Sequence, residues 1–226
     1  MERIIKKLED LKNTKVEKQP PLPTENNVLK TFSIENEPVV ELVNNREREY
    51  TFADLPNIGY STDIDTVMAS SYQVKKQLQQ IVKIEQPITN TLLYKRILRI
   101  WNLTRVTTRL QVFIDSLLED AYKDPLSGDT IIYWEDKEKA KDCDFYRINS
   151  KRDILDIPIL EVMSAARYAI EQQISMPTED LKRLTSQLLG FSRKGNNLDM
   201  VTEHTIQLLI DKGIFSDANG MVTMKN

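Results

Sequence analysis

The chain has 226 residues, of which 40% are hydrophobic and 29% charged, and its formal net charge at pH 7 is −3. This length accommodates one or two modest domains, each with its own core. The near-neutral charge excludes a histone-like coat of positive charge but allows a local basic face. No stretch reaches the ~20 apolar residues that a membrane-spanning helix needs.

The chemistry-bearing residues exclude several kinds of site. The single cysteine, Cys143, cannot form an internal disulfide, which is typical of proteins from the reducing cytoplasm. The only histidine, His204, lacks the partners of a zinc site, and no Gly-rich phosphate-binding loop is present. Trp101 and Trp134 are interpreted as core or interface aromatics. We therefore expect a cytoplasmic protein that has no cofactor, no metal and no membrane partner, and that is not an enzyme.

The first 72 residues predict an N-terminal helix, a linker and an acidic arm. Residues 2–13 have the spacing of a short amphipathic helix, and the Pro-Pro-Leu-Pro at residues 20–23 indicates an extended linker. Residues 25–66 are polar without a sustained period, which predicts an extended arm with a short strand near residues 39–43. Residues 1–72 contain 9 basic and 13 acidic side chains, a net charge of −4.

The rest of the chain contains one pattern twice, at a constant offset of 88 residues. Each copy consists of a polar entry, an apolar-periodic helix, a short turn that ends in arginine, and a second helix. Each copy of such a repeat is one supersecondary unit, so we expect two units, at residues 73–150 and 151–226. The aligned pairs are Leu93 and Leu181, Ile100 and Leu188, Leu103 and Phe191, Arg105 and Arg193, and Leu110 and Leu198.

Both units have the order helix, strand, helix, helix and hairpin, which is the order of a winged helix. The predicted helices cover about residues 71–82, 90–101 and 107–121 in the first unit, and 158–173, 177–190 and 196–212 in the second. Strands are predicted at residues 130–134 and 145–148, joined by a charged hairpin tip at 135–144, and on either side of Asn219-Gly220. The predicted fold is α+β and mostly helical, with tandem winged-helix-like units preceded by an extended N-terminal arm.

Three positions predict where helices begin and end. Thr89 or Asn90 is the expected N-cap of the second helix of the first unit. Asn102 and Gly190 stand where a residue in the left-handed conformation ends a helix.

A cluster of cations in the first unit predicts contact with nucleic acid. Between Gln86 and Ile114 no residue is acidic. Five cations lie there: Lys95, Arg96, Arg99, Arg105 and Arg109. The first three form a basic stripe on one helix, and the last two occupy the recognition position of a helix–turn–helix. The hydroxyl of Thr108 beside these cations can donate a hydrogen bond to a phosphate oxygen. Five phosphate contacts predict a log–log salt slope of about −4.5 on duplex DNA.

The second unit repeats this feature only in part. Arg193 and Lys194 lie at the start of its third helix and are candidate phosphate contacts. Asp199, Glu203 and Asp211 follow on the same helix and would repel phosphate, so we expect protein contact there. Because Arg193 repeats Arg105, a structural role for that pair is the alternative: the cations would then be solvated, bonded to local carbonyls, or paired with the acidic arm.

An enzymatic alternative rests on Asp129, Glu135 and Lys137, an acidic and lysine pattern beside a strand as in metal-dependent nucleases. The run of mixed charge around Glu135 is more typical of a solvated hairpin tip, which disfavours this hypothesis.

Short motifs carry a family resemblance over residues 75–224. They are Glu-Gln-Pro-Ile at 85–88 leading to Arg96-Ile97, Asn-Leu-Thr-Arg-Val-Thr-Thr-Arg at 102–109, and Leu-Leu-Gly-Phe-Ser-Arg-Lys-Gly at 188–195. They resemble a bacterial domain of unknown function found C-terminal to the helicase and Vsr-like endonuclease domains of large superfamily I DNA helicases. Two positions depart from the pattern: Asn102 stands where a glycine is usual in that domain, and Asn197 stands where the first copy has Arg109. The opening helix resembles the last helix of such an endonuclease, which implies a fragment of a longer protein.

Together, the residues and the resemblance predict a non-catalytic DNA-binding and docking accessory region of a bacterial helicase–nuclease, in DNA repair or defence against foreign DNA. The expected partners are duplex or forked DNA and the parent helicase or nuclease domains. The alternative is a purely protein–protein interaction or dimerisation module without nucleic-acid contact.

Overall fold

The computed structural model describes residues 45–60, 62–124, 130–148 and 151–225, all within one compact unit, Val43–Asn226. This part of the chain is α+β and about half helical. None of its helices is long and apolar enough to cross a membrane. The predicted N-terminal helix, the proline-rich linker and the strand predicted near residues 39–43 lie outside the described residues.

Helices and short strands alternate along the described chain. The first half contains β1 (Glu47–Glu49), α1 (Ile64–Ala69), α2 (Ser71–Glu85), β2 (Ile88–Thr89), α3 (Asn90–Ile100), α4 (Thr108–Leu117), β3 (Tyr122–Lys123), β4 (Ile132–Trp134), α5 (Lys137–Lys141) and β5 (Tyr146–Ile148). A short 3₁₀ helix (Ile154–Asp156) follows, then α6 (Ile159–Glu171), β6 (Met176–Pro177), α7 (Thr178–Leu188), α8 (Asn196–Asp211), β7 (Phe215–Ala218) and β8 (Met221–Met224).

The element boundaries follow the internal repeat. Elements α2, β2, α3 and α4 each begin 88 residues before α6, β6, α7 and α8, respectively. Leu93 and Leu181, which the repeat aligns, are both fully buried at 0% exposure. The lengths of the last helices differ, since α8 has 16 residues and α4 only 10.

Each copy also closes with a three-stranded antiparallel sheet of the same order. In the first copy β4 lies between β2 and β3, and in the second β8 lies between β6 and β7. The predicted hairpin between residues 130–134 and 145–148 is wrong. Strand β5 instead pairs in parallel with β1, and the charged run between β4 and β5 forms the short helix α5, capped by Asp136.

Local sequence explains the turn in each copy. Thr89 and Thr107 accept hydrogen bonds from the amides of Leu92 and Leu110 and so cap α3 and α4. Asn102 has φ of 50° and Gly190 of 89°, the left-handed conformation predicted for both. Asparagine tolerates this conformation better than most residues, which explains how it stands where the related domain has glycine.

The second copy ends as the sequence predicts. Asn219 and Gly220 have φ of 56° and 79° and join β7 to β8. Positive φ at both central residues is the requirement of the tight hairpin turn that Asn-Gly favours.

The cores lie between the helices and the sheet of each copy. The first core contains Val74, Leu78, Ile81, Leu93, Ile97 and Ile114, and the second contains Ala166, Ile170, Leu181, Ile206, Leu209 and Val222. Tyr50, Ala53 and Val67, from the predicted acidic arm, are buried in the first core. The described part of the arm therefore packs on the first copy, although its sequence has no regular period.

Candidate nucleic-acid interface

The turn between α3 and α4 presents two arginines to solvent. Arg99 near the end of α3 and Arg105 in the turn are exposed, as are Thr104 and Thr108. Within the described part of the chain, neither guanidinium forms an ion pair. A loop holds this turn in place, because Asn57 donates to the Arg99 carbonyl at 2.6 Å and the Ile58 amide donates to the Ile100 carbonyl.

Lys95 forms an ion pair between the two copies and is not an unpaired surface cation. Its ammonium lies 2.7 Å from the carboxylate of Asp156, which is itself buried, while the lysine side chain remains 55% exposed. The hydroxyl of Thr89 donates to the Asp156 carbonyl. Lys95 could contact phosphate only while also neutralising Asp156.

Arg96 does not belong to the exposed stripe that the sequence predicts. Its side chain is 12% exposed and its guanidinium lies 2.8 Å from the fully buried Glu85 carboxylate. It also donates to the Ala53 carbonyl and lies over the ring of Phe52. Position 96 borders the face of α3 that contains the buried Ile97. The Arg96 side chain therefore extends along this face toward the end of α2 and not into solvent.

Arg109 pairs with the described part of the acidic arm. One of its terminal nitrogens lies 2.8 Å from Asp65 in α1, and both side chains are more than half exposed. Such an exposed pair is weak and is screened by salt. Asp65 therefore competes with any phosphate for Arg109.

The second copy also presents its two candidate cations to solvent. Arg193 and Lys194 are exposed beside a small cleft of about 160 Å³ at the start of α8. The same cleft is lined by Asp199 and Glu179. The amine of Lys182 lies 3.2 Å from Glu179 and 3.7 Å from Glu203. Carboxylates thus lie beside the candidate cations of the second copy as well.

Sequence reasoning missed a buried ionic cluster between β5 and α6. Glu161 is fully buried and receives hydrogen bonds from the guanidinium groups of Arg147 and Arg152 and from the Arg147 amide. Burial by itself raises the pKa of Glu161, but the two arginines hold that pKa below its usual range. The carboxylate is ionised at neutral pH, so the cluster is an ion triad.

The cluster extends to the end of α2 and to the N-terminal segment. Arg147 donates to the carbonyls of Glu85, Gln86 and Pro87, which no helical amide satisfies. The Tyr50 hydroxyl donates to Glu85, and the Tyr50 ring lies under Arg152 at 4.1 Å. These contacts tie the first copy to the second and to the strand β1 segment.

Glu135 of the nuclease alternative and its neighbour Asp136 have structural partners. Glu135 pairs with Lys139, and Asp136 caps α5 by accepting from the Lys139 amide at 2.9 Å. Asp129 lies outside the described residues. Burial raises the pKa of the Cys143 thiol to about 12, so this cysteine is not an activated nucleophile.

The remaining residues singled out from the sequence are also placed. Trp101 is buried and donates from its indole nitrogen to Gln77 at 2.8 Å. Trp134 is 2% exposed in β4. Both are core aromatics, as predicted. His204 lies on the exposed face of α8, as predicted.

Comparison with known proteins gives one match. No curated protein and no solved structure matches the chain. A family model described as "Protein of unknown function (DUF3320)" matches residues 69–112. This segment contains α2, β2, α3, the turn and the first half of α4, and therefore all five cations of the first copy. Residues 69–112 are thus similar to a domain of unknown function.

Proposed function

We propose that the chain is a non-catalytic accessory region that holds DNA with its first copy and docks on protein with its second. In this proposal both copies are winged-helix-like units, and the parent protein is a bacterial helicase–nuclease of DNA repair or defence against foreign DNA. The parent protein and its biological role are inferred from the resemblance of the sequence motifs.

The order of the elements supports the winged-helix assignment. In each copy a helix, a short strand, two helices joined by a tight turn and a two-stranded antiparallel pair follow one another. The short first strand of each copy joins the antiparallel pair to complete the sheet. In such units the helix after the turn is the usual reader of nucleic acid.

The observation that carries the DNA proposal is that Arg99, near the end of α3, and Arg105, in the turn, are exposed and form no ion pair with any described residue. Arg99 and Arg105 alone would give a log–log salt slope of about −1.8, and adding Lys95 and Arg109 would bring it to about −3.6. Even the larger value is shallower than the slope expected from five cations, because Arg96 is paired with the buried Glu85.

A titration by fluorescence anisotropy tests the proposal, with duplex, forked and single-stranded DNA at two salt concentrations. The Arg99→Glu/Arg105→Glu variant should abolish salt-sensitive binding. The control is Arg183→Glu/Lys212→Glu, which makes the same change in net charge on exposed residues of the second copy. Equal losses in both variants would indicate a non-specific charge effect and overturn the assigned site, as would no binding by the folded wild-type chain at low salt.

A purely protein-binding module is the second candidate, and the ion pairs favour it. Lys95, Arg96 and Arg109 each have a carboxylate partner within the chain. The pair between Arg109 and Asp65 is of the kind that this alternative predicts, a cation neutralised by the acidic arm. Apolar docking predicts little salt dependence, whereas phosphate contact predicts a steep one, so the same titration separates the two candidates.

A further inference from the structure

The outward face of α8 has the features of a protein-binding surface. The inner face buries Leu198, Thr202, Thr205, Ile206 and Leu209. The outer face carries six residues around a shallow concavity of about 600 Å³: Asn196, Asp199, Met200, Glu203, His204 and Gln207. We call these six residues the α8 face.

An apolar side chain stands at the centre of the α8 face. Met200 is 57% exposed, and Val112, 88 residues earlier in α4, is 65% exposed. Single exposed apolar residues are common on protein surfaces. Here, however, both copies expose one at the same repeat position, while the neighbouring pair Leu110 and Leu198 is buried. The exposed apolar side chain is therefore a feature of the repeated unit.

The charge around Met200 selects the partner. Asp199 and Glu203 flank it, and no lysine or arginine lies between Asn196 and Asp211. Lys182, which contacts this face, is bonded to Glu179 at 3.2 Å and lies 3.7 Å from Glu203. Arg193 and Lys194 line a neighbouring cleft at the N-terminal end of α8. An anionic ligand would be repelled from this face, and a cationic one attracted.

We propose that the α8 face binds a basic amphipathic helix of a partner protein. An aliphatic side chain of the partner would pack on Met200, and its lysines or arginines would pair with Asp199 and Glu203. α8 has 16 residues and is about 24 Å long, enough for about four turns of a partner helix. The inference rests on the docking half of the proposed function and is independent of DNA contact by the first copy.

A selection from a displayed library of random 16-residue peptides tests the proposal. The library is first depleted of peptides that bind the Met200→Lys variant and is then selected on the immobilised full wild-type chain. We expect enriched peptides with net positive charge and aliphatic residues three or four positions apart. The leading peptide should shift the ¹³C-methyl NMR signal of Met200. Glu203→Lys should weaken the binding of this peptide at least tenfold. Val112→Lys, the change in the first copy that corresponds to Met200→Lys, should leave the binding unaltered.

Three outcomes would overturn the proposal: no enrichment over the depleted library, enrichment of acidic peptides, or a Met200 methyl signal that moves with duplex DNA and not with the selected peptide. The last result would make α8 a nucleic-acid surface. A failure of DNA binding alone would remove the first half of the proposed function and leave the peptide result unchanged, so the two failures are distinguishable.

Discussion

Asp65 in α1 lies 2.8 Å from Arg109 at the start of α4, so an acidic residue of the N-terminal segment neutralises a cation that the DNA proposal assigns to phosphate contact. The two side chains are 72% and 57% exposed. Their contact therefore opens and closes at little cost in free energy, which makes Asp65 an internal competitor of phosphate.

The first prediction follows from this competition. Asp65→Asn should strengthen DNA binding about two- to fivefold at low salt and steepen the salt slope by about 0.9, the contribution of one released cation. Anisotropy titrations at several salt concentrations measure both quantities. Glu138→Gln is the control, since Glu138 also pairs with a lysine at 2.8 Å and is similarly exposed. An equal gain in this control would contradict a specific role for Asp65.

The second prediction concerns the buried ion triad. Glu161→Ala would leave the guanidinium groups of Arg147 and Arg152 buried without their carboxylate, so it should lower the free energy of unfolding by about 3–5 kcal/mol. Urea unfolding followed by circular dichroism measures the change. Glu138→Ala on the surface should change stability little. A loss as small as that of the control would show that the arginines find other partners.

The third prediction concerns the helix ends. Gly190→Ala should destabilise the protein by about 1 kcal/mol, because φ is 89° there although an added Cβ would meet nothing within 4 Å. Asn102→Gly should be neutral or slightly stabilising, since φ is already 50°. Thermal unfolding of both variants tests the pair. A stabilised Gly190→Ala variant would contradict the left-handed assignment.

The fourth prediction concerns Cys143. Because its folded-state pKa is raised to about 12 from 9.0, its thiol should react slowly with iodoacetamide at pH 8 in the native protein and much faster in urea. Between pH 9 and 12 the unfolded chain releases this proton and the folded chain keeps it, so the contribution to stability is full below pH 9 and is lost as pH rises. Cys143→Ser should flatten the fall in stability above pH 9. Fast labelling of the native protein would show that the thiol is accessible and ionised.

Much of the fold was accessible from the sequence because it depends on local signals. The N-cap at Thr89, the left-handed Asn102 and the Asn219-Gly220 turn each depend on a few neighbouring residues, and the 88-residue offset can be read directly from the aligned residue pattern; the structure agrees with each. The pairing of the strands was not accessible. β-Branched and aromatic runs predict that a strand exists, but they do not name its partner, and β5 pairs with a segment that lies about 100 residues earlier.

The charged residues show the same division. Lys95, Arg96 and Arg99 are alike in sequence, yet Lys95 pairs across the copies, Arg96 pairs with a buried carboxylate, and Arg99 is free of ion pairs within the described chain. Their roles depend on Asp156 and Glu85, which helical spacing cannot locate. A signal for the ion triad did exist, since Glu161 and Arg147 each interrupt an apolar run. A charge within such a run indicates either an edge of the core or a buried partner.

The parallel pairing of β1 with β5 affects the order of events during synthesis. Glu47 pairs with Tyr146, so β1 leaves the ribosome many seconds before its partner strand at ordinary rates of translation. The carboxylate that neutralises Arg147 is translated later still, at residue 161. The nascent chain therefore holds β1 unpaired until β5 emerges, and its charge cluster stays incomplete until residue 161 of the second copy has followed.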